Sequence, residues 1–301
     1  MVASRTADDD LRHGLRLSGI PDANTIVEYA VAADKAGWDG VFHIDHLIDF
    51  VAREPDEHEP INDPWTTWAA VAAKTEHITL GSSITPVPRR HPWQLAKNLA
   101  TLDQLSDGRV LLGAGLGAPK EFEPFGQEYD QKYLAERYDE ALDIITGLWT
   151  GEPFSYDGEH FTIDEAVMRP TPVQEPRIPI VIGGWWPFKA PFRRGARWDG
   201  IMPNWPSMHS NASYLEYYPE HMRRVIPDEP THEEDVREML SYYHEQADET
   251  GEIMLYNLPS APAKFEELCR DLGATWLIHA VVDSDVGKED NLERIRQGPP
   301  D

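Results

Sequence analysis

The chain has 301 residues, 41% of them hydrophobic, enough for one barrel or two small domains around a sizeable core. Its 53 acidic residues outnumber 27 basic ones and leave a net charge of −26, which disfavours nucleic-acid binding because phosphate contacts need a basic surface. A single cysteine, Cys269, excludes an internal disulfide, and no apolar run approaches the roughly 20 residues of a membrane span; the opening MVASRTADDD lacks a signal-peptide core, so a cytoplasmic location is expected.

In chain order, His13 to Ser18 predicts a first strand. Asp22 or Asn24 caps a helix with Ile26, Val27, Ala30 and Val31 on its apolar face, and Gly37 ends it. Trp38 to Ile44 is a second strand, followed by Asp45-His46 and an acidic loop to Ile61. Asp63 as N-cap and Pro64 at N1 start the next helix, to about Thr75. Ile78 to Leu80 is a third strand, and the loop Ser82 to His91 follows its end. Pro92 opens a helix with Leu95, Leu99 and Leu102 on one face, stopped at Asp107-Gly108; Arg109 to Ala114 is the fourth strand.

A long connection leads to a strong helix from Gln131 to Trp149. Phe154 to Tyr156 and His160 to Ile163 flank Asp157-Gly158, a hairpin signal. Ile178 to Ile182 is a fifth strand capped by Gly183-Gly184, then comes a short helix, Phe188 to Trp198, and a sixth strand, Gly200 to Met202. Asn204 to Pro230 is irregular. Thr231 with Glu234 forms a capping box, Glu252 to Tyr256 and Trp276 to Val282 are strands seven and eight, and Ala263 to Leu272 is the helix between them. Eight strands alternating with helices predict an α/β fold, a (β/α)8 TIM barrel with insertions after strands 4 and 6. Residues 1–301 form one domain.

In such a barrel the chemistry sits at the C-terminal ends of the strands. Asp45-His46 can trade protons there, or be a plain buried pair. Gly113, Gly115 and Gly117 allow close approach of backbone to a ligand; with Ala118 they also fit G-x-G-x-x-A, but no helix opens at once, so a dinucleotide reading is weak. Lys189, Arg193, Arg194 and Arg197 form one basic cluster and Arg89, Arg90 and His91 another; they either line an anionic cofactor tail or pair with local carboxylates. Trp65, Phe122, Phe125, Trp185, Trp186 and Trp205 either roof a substrate pocket or fill the core. His43-x-Asp45-His46 admits a metal-hydrolase reading, but strand neighbours point to opposite faces and no H-E-x-x-H helix supports it, so no metal is expected.

The stretch LGSSITPVPRRHPWQLAKNLATLDQLSDGRVLLGAGLG, then RYDEALDIITGLWTGEPFSYDGEHF, PIVIGG and ARWDGIMP, with Asp45-His46 upstream, resembles the bacterial-luciferase-like family of FMN- or coenzyme F420-dependent oxidoreductases. The resemblance runs from about Leu15 to Pro203 and more weakly to Val282. It implies that Asp45 and His46 lie beside the reactive ring of the cofactor, with His46 catalytic. It implies a bulge at Ser83, Ile84 and Thr85, with a cis peptide between Ser83 and Ile84 pressed against the ring's middle. It places Gly113, Gly115 and Gly117 beside the ring and a phosphate at Gly183-Gly184 and Trp185, where the bulky Trp185-Trp186 departs from the family's small residues; Arg193 and Arg194 would hold the anionic tail. Trp65, Phe122, Trp186 and Trp205 would shape the substrate pocket. F420 with hydride transfer to a small organic molecule is the favoured reading, and an FMN monooxygenase served by a flavin reductase, or a barrel that binds flavin without turnover, the alternatives. Ala118 replaces the glutamate of the sugar-phosphate-oxidising members, which argues against glucose 6-phosphate. A homodimer is implied.

The acidic composition also fits a high-salt cytoplasm, where screening relieves self-repulsion. Thermal stability is then expected to rise from low to multimolar salt, and a melting midpoint indifferent to salt would contradict this origin.

Overall fold

Local capping starts the helices where the sequence places them. The Asp22 carboxylate accepts from the amides of Asn24 and Thr25 and opens α1 (Ala23–Ala36), which Gly37 ends at φ 84°. Asp63 accepts from the Thr66 amide and opens α2 (Pro64–Ala72), and Pro92 is the first residue of α3 (Pro92–Leu105). Asp130 caps α4 (Gln131–Trp149). The remaining helices are α5 (Lys189–Gly195), α6 (His232–Gln246), α7 (Phe265–Asp271) and α8 (Lys288–Arg296). The computed structural model describes residues 11–20, 22–49, 60–205, 232–248, 251–257, 264–282 and 286–300. The capping box at Thr231 and most of the irregular stretch 204–230 lie outside them.

The strands are β1 (Arg12–Arg16), β2 (Gly40–His43), β3 (Thr79–Ser82), β4 (Thr85–Pro86), β5 (Val110–Gly115), β6 (Phe154–Asp157), β7 (Thr162–Ala166), β8 (Ile180–Trp185), β9 (Gly200–Asn204), β10 (Glu252–Asn257) and β11 (Trp276–His279). They run β3-β2-β1-β11-β10-β9-β8-β5, and β3 pairs with β5 to close the ring. Every pairing in it is parallel. This is the expected (β/α)8 barrel, with β4 continuing β3. The β6–β7 hairpin is antiparallel and stands apart, inserted after the fourth barrel strand.

Two cores follow from strand alternation. Leu15, Val41, Leu80 and Leu112 face the helices and pack with Ile26, Trp68, Leu99 and Ile145. The other face fills the lumen. A Cβ added at Gly14, Gly40 or Gly81 would strike the Phe42 ring, so these three strands clear space for one aromatic, which meets Trp276 edge-to-face at 5.5 Å. Buried indoles find carbonyls: Trp68 Nε1 donates to Gly81, Trp149 to Ala96 and Trp38 to Ile295, each at 2.9 Å. Cys269 is buried, and that burial pushes its thiol up to about 12, away from the reactive thiolate.

Three histidines are built into the barrel wall. His13 Nδ1 and His279 Nε2 lie 2.9 Å apart, and Asn257 Nδ2 is 3.3 Å from His279 Nδ1. If Asn257 donates, His279 carries its proton on Nε2 and His13 accepts it, so both rings are neutral. His43 packs against Trp68, and neither ring nitrogen has a hydrogen-bond partner. Burial lowers His43 and His279 to about 4. A lowered histidine pKa means that the unfolded chain takes the proton first as pH falls. Stability is therefore expected to drop between about pH 6.5 and 4, by on the order of 2–3 kcal/mol per residue. Denaturant melts across this range check it, and the difference between wild type and His43→Leu isolates the His43 share; parallel profiles would contradict it.

Candidate active site

The site begins with register. Gly81 of β3 pairs with Leu111, and Thr85 of β4 pairs with Ala114. Four steps on one strand thus face three on its partner, which is a bulge. The Ser83–Ile84 peptide within it is cis, as the resemblance implies. The extra residue turns Ile84 into the lumen. A Cβ at Gly115 or Gly183 would collide with the Ile84 side chain, and one at Gly113 with the carbonyl oxygen of Ser82. Gly115 and Gly183 therefore make room for Ile84, and Gly113 for the backbone of the neighbouring strand. Gly117, at φ 86°, adopts the left-handed conformation and is hemmed by Pro86 and Phe122. The bulge leaves the hydroxyls of Ser83 and Thr85 buried with no hydrogen-bond partner.

A charged network adjoins the bulge. Val87–Arg89 forms a 3-10 turn straight after β4, which aims Arg89 and Arg90 back across the end of β2. Asp45, 2% exposed, receives both: Arg89 Nη2 donates to its Oδ1, and Arg90 Nη2 lies 2.8 and 3.0 Å from its two oxygens. Arg90 also reaches Asp63, the cap of α2, at 3.1 Å. Burial works against the charge on Arg90, but the attraction and hydrogen bonds of Asp45 and Asp63 together outweigh it and raise the guanidinium's pKa. Glu121, fully buried in a second 3-10 turn after the glycine run, bonds Arg89 through Oε2 and His46 Nδ1 through Oε1 at 2.6 Å. His46 keeps 24% of its side chain exposed. A carboxylate on Nδ1 fixes the imidazole's tautomer and orientation and leaves Nε2 as its proton-exchanging atom.

Sequence reasoning found His46 and Asp45 but missed Glu121, which lies 75 positions from its histidine partner. It also missed Arg16. By alternation with Gly14, Arg16 points into the lumen at the C-terminal end of β1, its guanidinium 5.9 Å from the Tyr256 ring centre. No carboxylate among the described residues pairs with it, so it can receive an anionic group. The alternating Gly14-Leu15-Arg16 pattern carried that signal.

Other expected positions differ. Gly183 and Gly184 lie within β8, paired with Met202 and Pro203, and do not open a helix. Trp185 ends the strand, Trp186–Pro187 is cis, and α5 begins at Lys189 with Phe188 as its N-cap, where the sequence places the helix start. Arg194 is held by Asp139 through two bonds of 2.7 and 2.9 Å, and Arg193 reaches the Tyr242 hydroxyl at 3.3 Å. The pairing with a local carboxylate, not the tail-binding role, describes Arg194. Trp65, Phe122, Trp186 and Trp205 are all buried, Trp205 against Phe265 and Trp186 against Phe192. They serve as core more than as an open roof. The His43-Asp45-His46 set does not converge: His43 faces Trp68, Asp45 two arginines and His46 Glu121. In the second basic cluster Arg89 and Arg90 likewise pair with local carboxylates, Asp45, Glu121 and Asp63; with His91, Arg137 and Tyr133 they also line a cavity of about 560 Å³.

Glu121→Gln keeps the shape but removes the charge shared by Arg89 and His46. A fall in stability of about 3 kcal/mol is expected for a broken buried pair, together with a turnover loss on the order of 100-fold from a misplaced imidazole. Melting curves and steady-state rates read the two effects, and a variant matching wild type in both would remove Glu121 from the site.

A model of the luciferase-like monooxygenase family matches residues 6–253. The F420-dependent glucose-6-phosphate dehydrogenase of Nakamurella multipartita is 37% identical over 160 residues, 52% of this chain and 45% of that protein. The F420-dependent hydroxymycolic acid dehydrogenase of Mycobacterium tuberculosis is 34% identical over 164 residues, 53% and 44% of the two chains. The matched part thus spans about half the length of these curated relatives. Among solved structures, a monooxygenase from Streptomyces bottropensis superposes with a TM-score of 0.73 at 19% identity, covering 95% of this chain and 97% of its own. An F420-dependent secondary alcohol dehydrogenase, solved with an F420-acetone adduct, gives a TM-score of 0.68 at 18% identity over 97% and 98%. These likenesses carry the barrel fold. With the family model matching most of its length, the chain belongs to the luciferase-like monooxygenase family.

Proposed function

We propose that the chain is an oxidoreductase that moves a hydride between coenzyme F420 and a small organic substrate at the barrel mouth. The observation that carries this reading is the bulge. It presents two buried hydroxyls, Ser83 Oγ and Thr85 Oγ1, that lack protein partners, and unpaired buried polar groups are costly unless something bonds them. The polar edge of a flat ring system fits that need. The curated relatives that match half of the chain, named as F420-dependent dehydrogenases, support F420 over FMN.

When bound, F420 supplies a ring carbon that accepts or donates the hydride. The chain's own residues do the rest. Ser83 and Thr85 bond the ring edge, and Ile84 fills the lumen behind them. His46 takes the proton from a substrate hydroxyl, or returns it to a carbonyl oxygen, at its outer ring nitrogen. Glu121 holds that imidazole in place. Asp45, clamped by Arg89 and Arg90, fixes the loop that carries His46. Ala118, where a glutamate is implied in the sugar-phosphate-oxidising members, favours a substrate other than glucose 6-phosphate.

Titration of the purified chain with oxidised F420 and with FMN, followed by ring absorbance and fluorescence, tests the reading. Saturable F420 binding is expected, about tenfold weaker in Ser83→Ala, which loses one hydrogen bond. Preference for FMN would reassign the chain to flavin chemistry, and binding of neither would overturn the proposal.

A further inference from the structure

Away from the strand ends, three ligand-bearing side chains meet where the β6–β7 hairpin folds back on α4. Glu136 comes from α4; Glu159 and His160 come from the hairpin's turn. One ligand atom of each lies within 4.8 Å of the others. The turn itself needs none of them. Its amides at Glu159, His160 and Phe161 are bonded by a different carboxylate, Glu140, at 2.7, 3.1 and 3.0 Å.

His160 is the second observation. Its side chain is 9% exposed, and its Nε2 is buried without a hydrogen-bond partner. The Tyr133 ring stands edge-on to the imidazole at 4.9 Å and steadies it. The nearest acceptor, Glu136 Oε2, is 3.5 Å away, long for a hydrogen bond. Two ligands of one tetrahedral ion, each about 2.1 Å from the metal, stand roughly 3.4 Å apart. The observed separation fits the edge of such a tetrahedron. Glu159 is exposed, so its carboxylate can turn inward without disturbing the core. Lys132, 86% exposed and 3.4 Å from Glu136 Oε1, is a weak competitor.

We propose that Glu136, Glu159 and His160 bind a divalent transition-metal ion, with zinc as the probe, and that the ion pins the inserted hairpin to α4. An imidazole with two carboxylates suits zinc and its neighbours better than magnesium or calcium, which take oxygen ligands alone. Water completes the coordination from the open side. The role is structural, because none of the three residues lies at a barrel strand's C-terminal end. The hairpin has a purpose for such a clip: β6 and β7 are largely exposed, and no second sheet among the described residues pairs with them.

The test uses the untagged full chain, stripped with a chelator and titrated with zinc against a chromophoric competitor. The expected result is one tight equivalent per chain and a melting midpoint raised by several degrees at saturation. Cobalt in place of zinc should give the strong visible bands of a four-coordinate site. His160→Gln should bind at least tenfold more weakly and lose the bands. If that variant does not fold, the exposed Glu159→Gln serves the same purpose. Equal binding by wild type and either variant would assign the uptake to the acidic surface at large. No tight equivalent at all would leave His160 as an ordinary ion-pair partner of Glu136. Either result overturns the site.

Discussion

A single buried carboxylate, that of Glu121, holds the mouth of the barrel in register. One oxygen serves His46 and the other Arg89, and Arg89 passes the connection to Asp45. Three chain segments that follow different barrel strands are tied at this point. Charges this deep are costly to bury singly and tolerable only when each has partners. The network meets that condition by alternating sign: Glu121, Arg89, Asp45, Arg90 and Asp63 in turn, ending at the cap of α2. The position of the histidine is thereby linked to the start of a helix on the outside of the barrel.

The lumen is organised by a second constraint, the competition for space between two side chains and many strands. Phe42 takes the lower layer, where Gly14, Gly40 and Gly81 withdraw from it. Ile84 takes the upper layer, where Gly115 and Gly183 do the same. A barrel interior is a packed core, and here glycines on neighbouring strands yield room to one bulky residue each time. What remains polar at the top is the pair of buried hydroxyls in the bulge, Ser83 and Thr85, together with the inward-pointing Arg16.

Much of this was legible. The caps at Asp22 and Asp63, the first-turn Pro92, the left-handed Gly37 and the eight barrel strands depend on local chemistry, and the structure has each of them. The bulge came from resemblance, since nothing in Ser83-Ile84-Thr85 alone demands it. The misreadings share a cause: each turned on a partner distant in sequence. Glu121 looked like one acid among many because His46 lies far upstream. Arg194 looked available because Asp139 is on another helix. His160 was taken for a strand residue, whereas β7 begins only at Thr162 and the ring belongs to the turn. The fifth strand was expected to end at Ile182, but it runs on through Trp185, which pairs with Asn204.

The one-residue offset between β3 and β5 has a further meaning. A strand alternates its faces, so an extra residue exchanges in for out in everything downstream until the next turn. From Gly81 onward the chain is therefore a measured length: delete one residue before Arg89 and Ile84 swings away from its glycines while both arginines lose their aim at Asp45. The number of residues in this segment is therefore held as tightly as the identities of the side chains it aims. Sequence comparison among relatives should accordingly find gaps here to be rare.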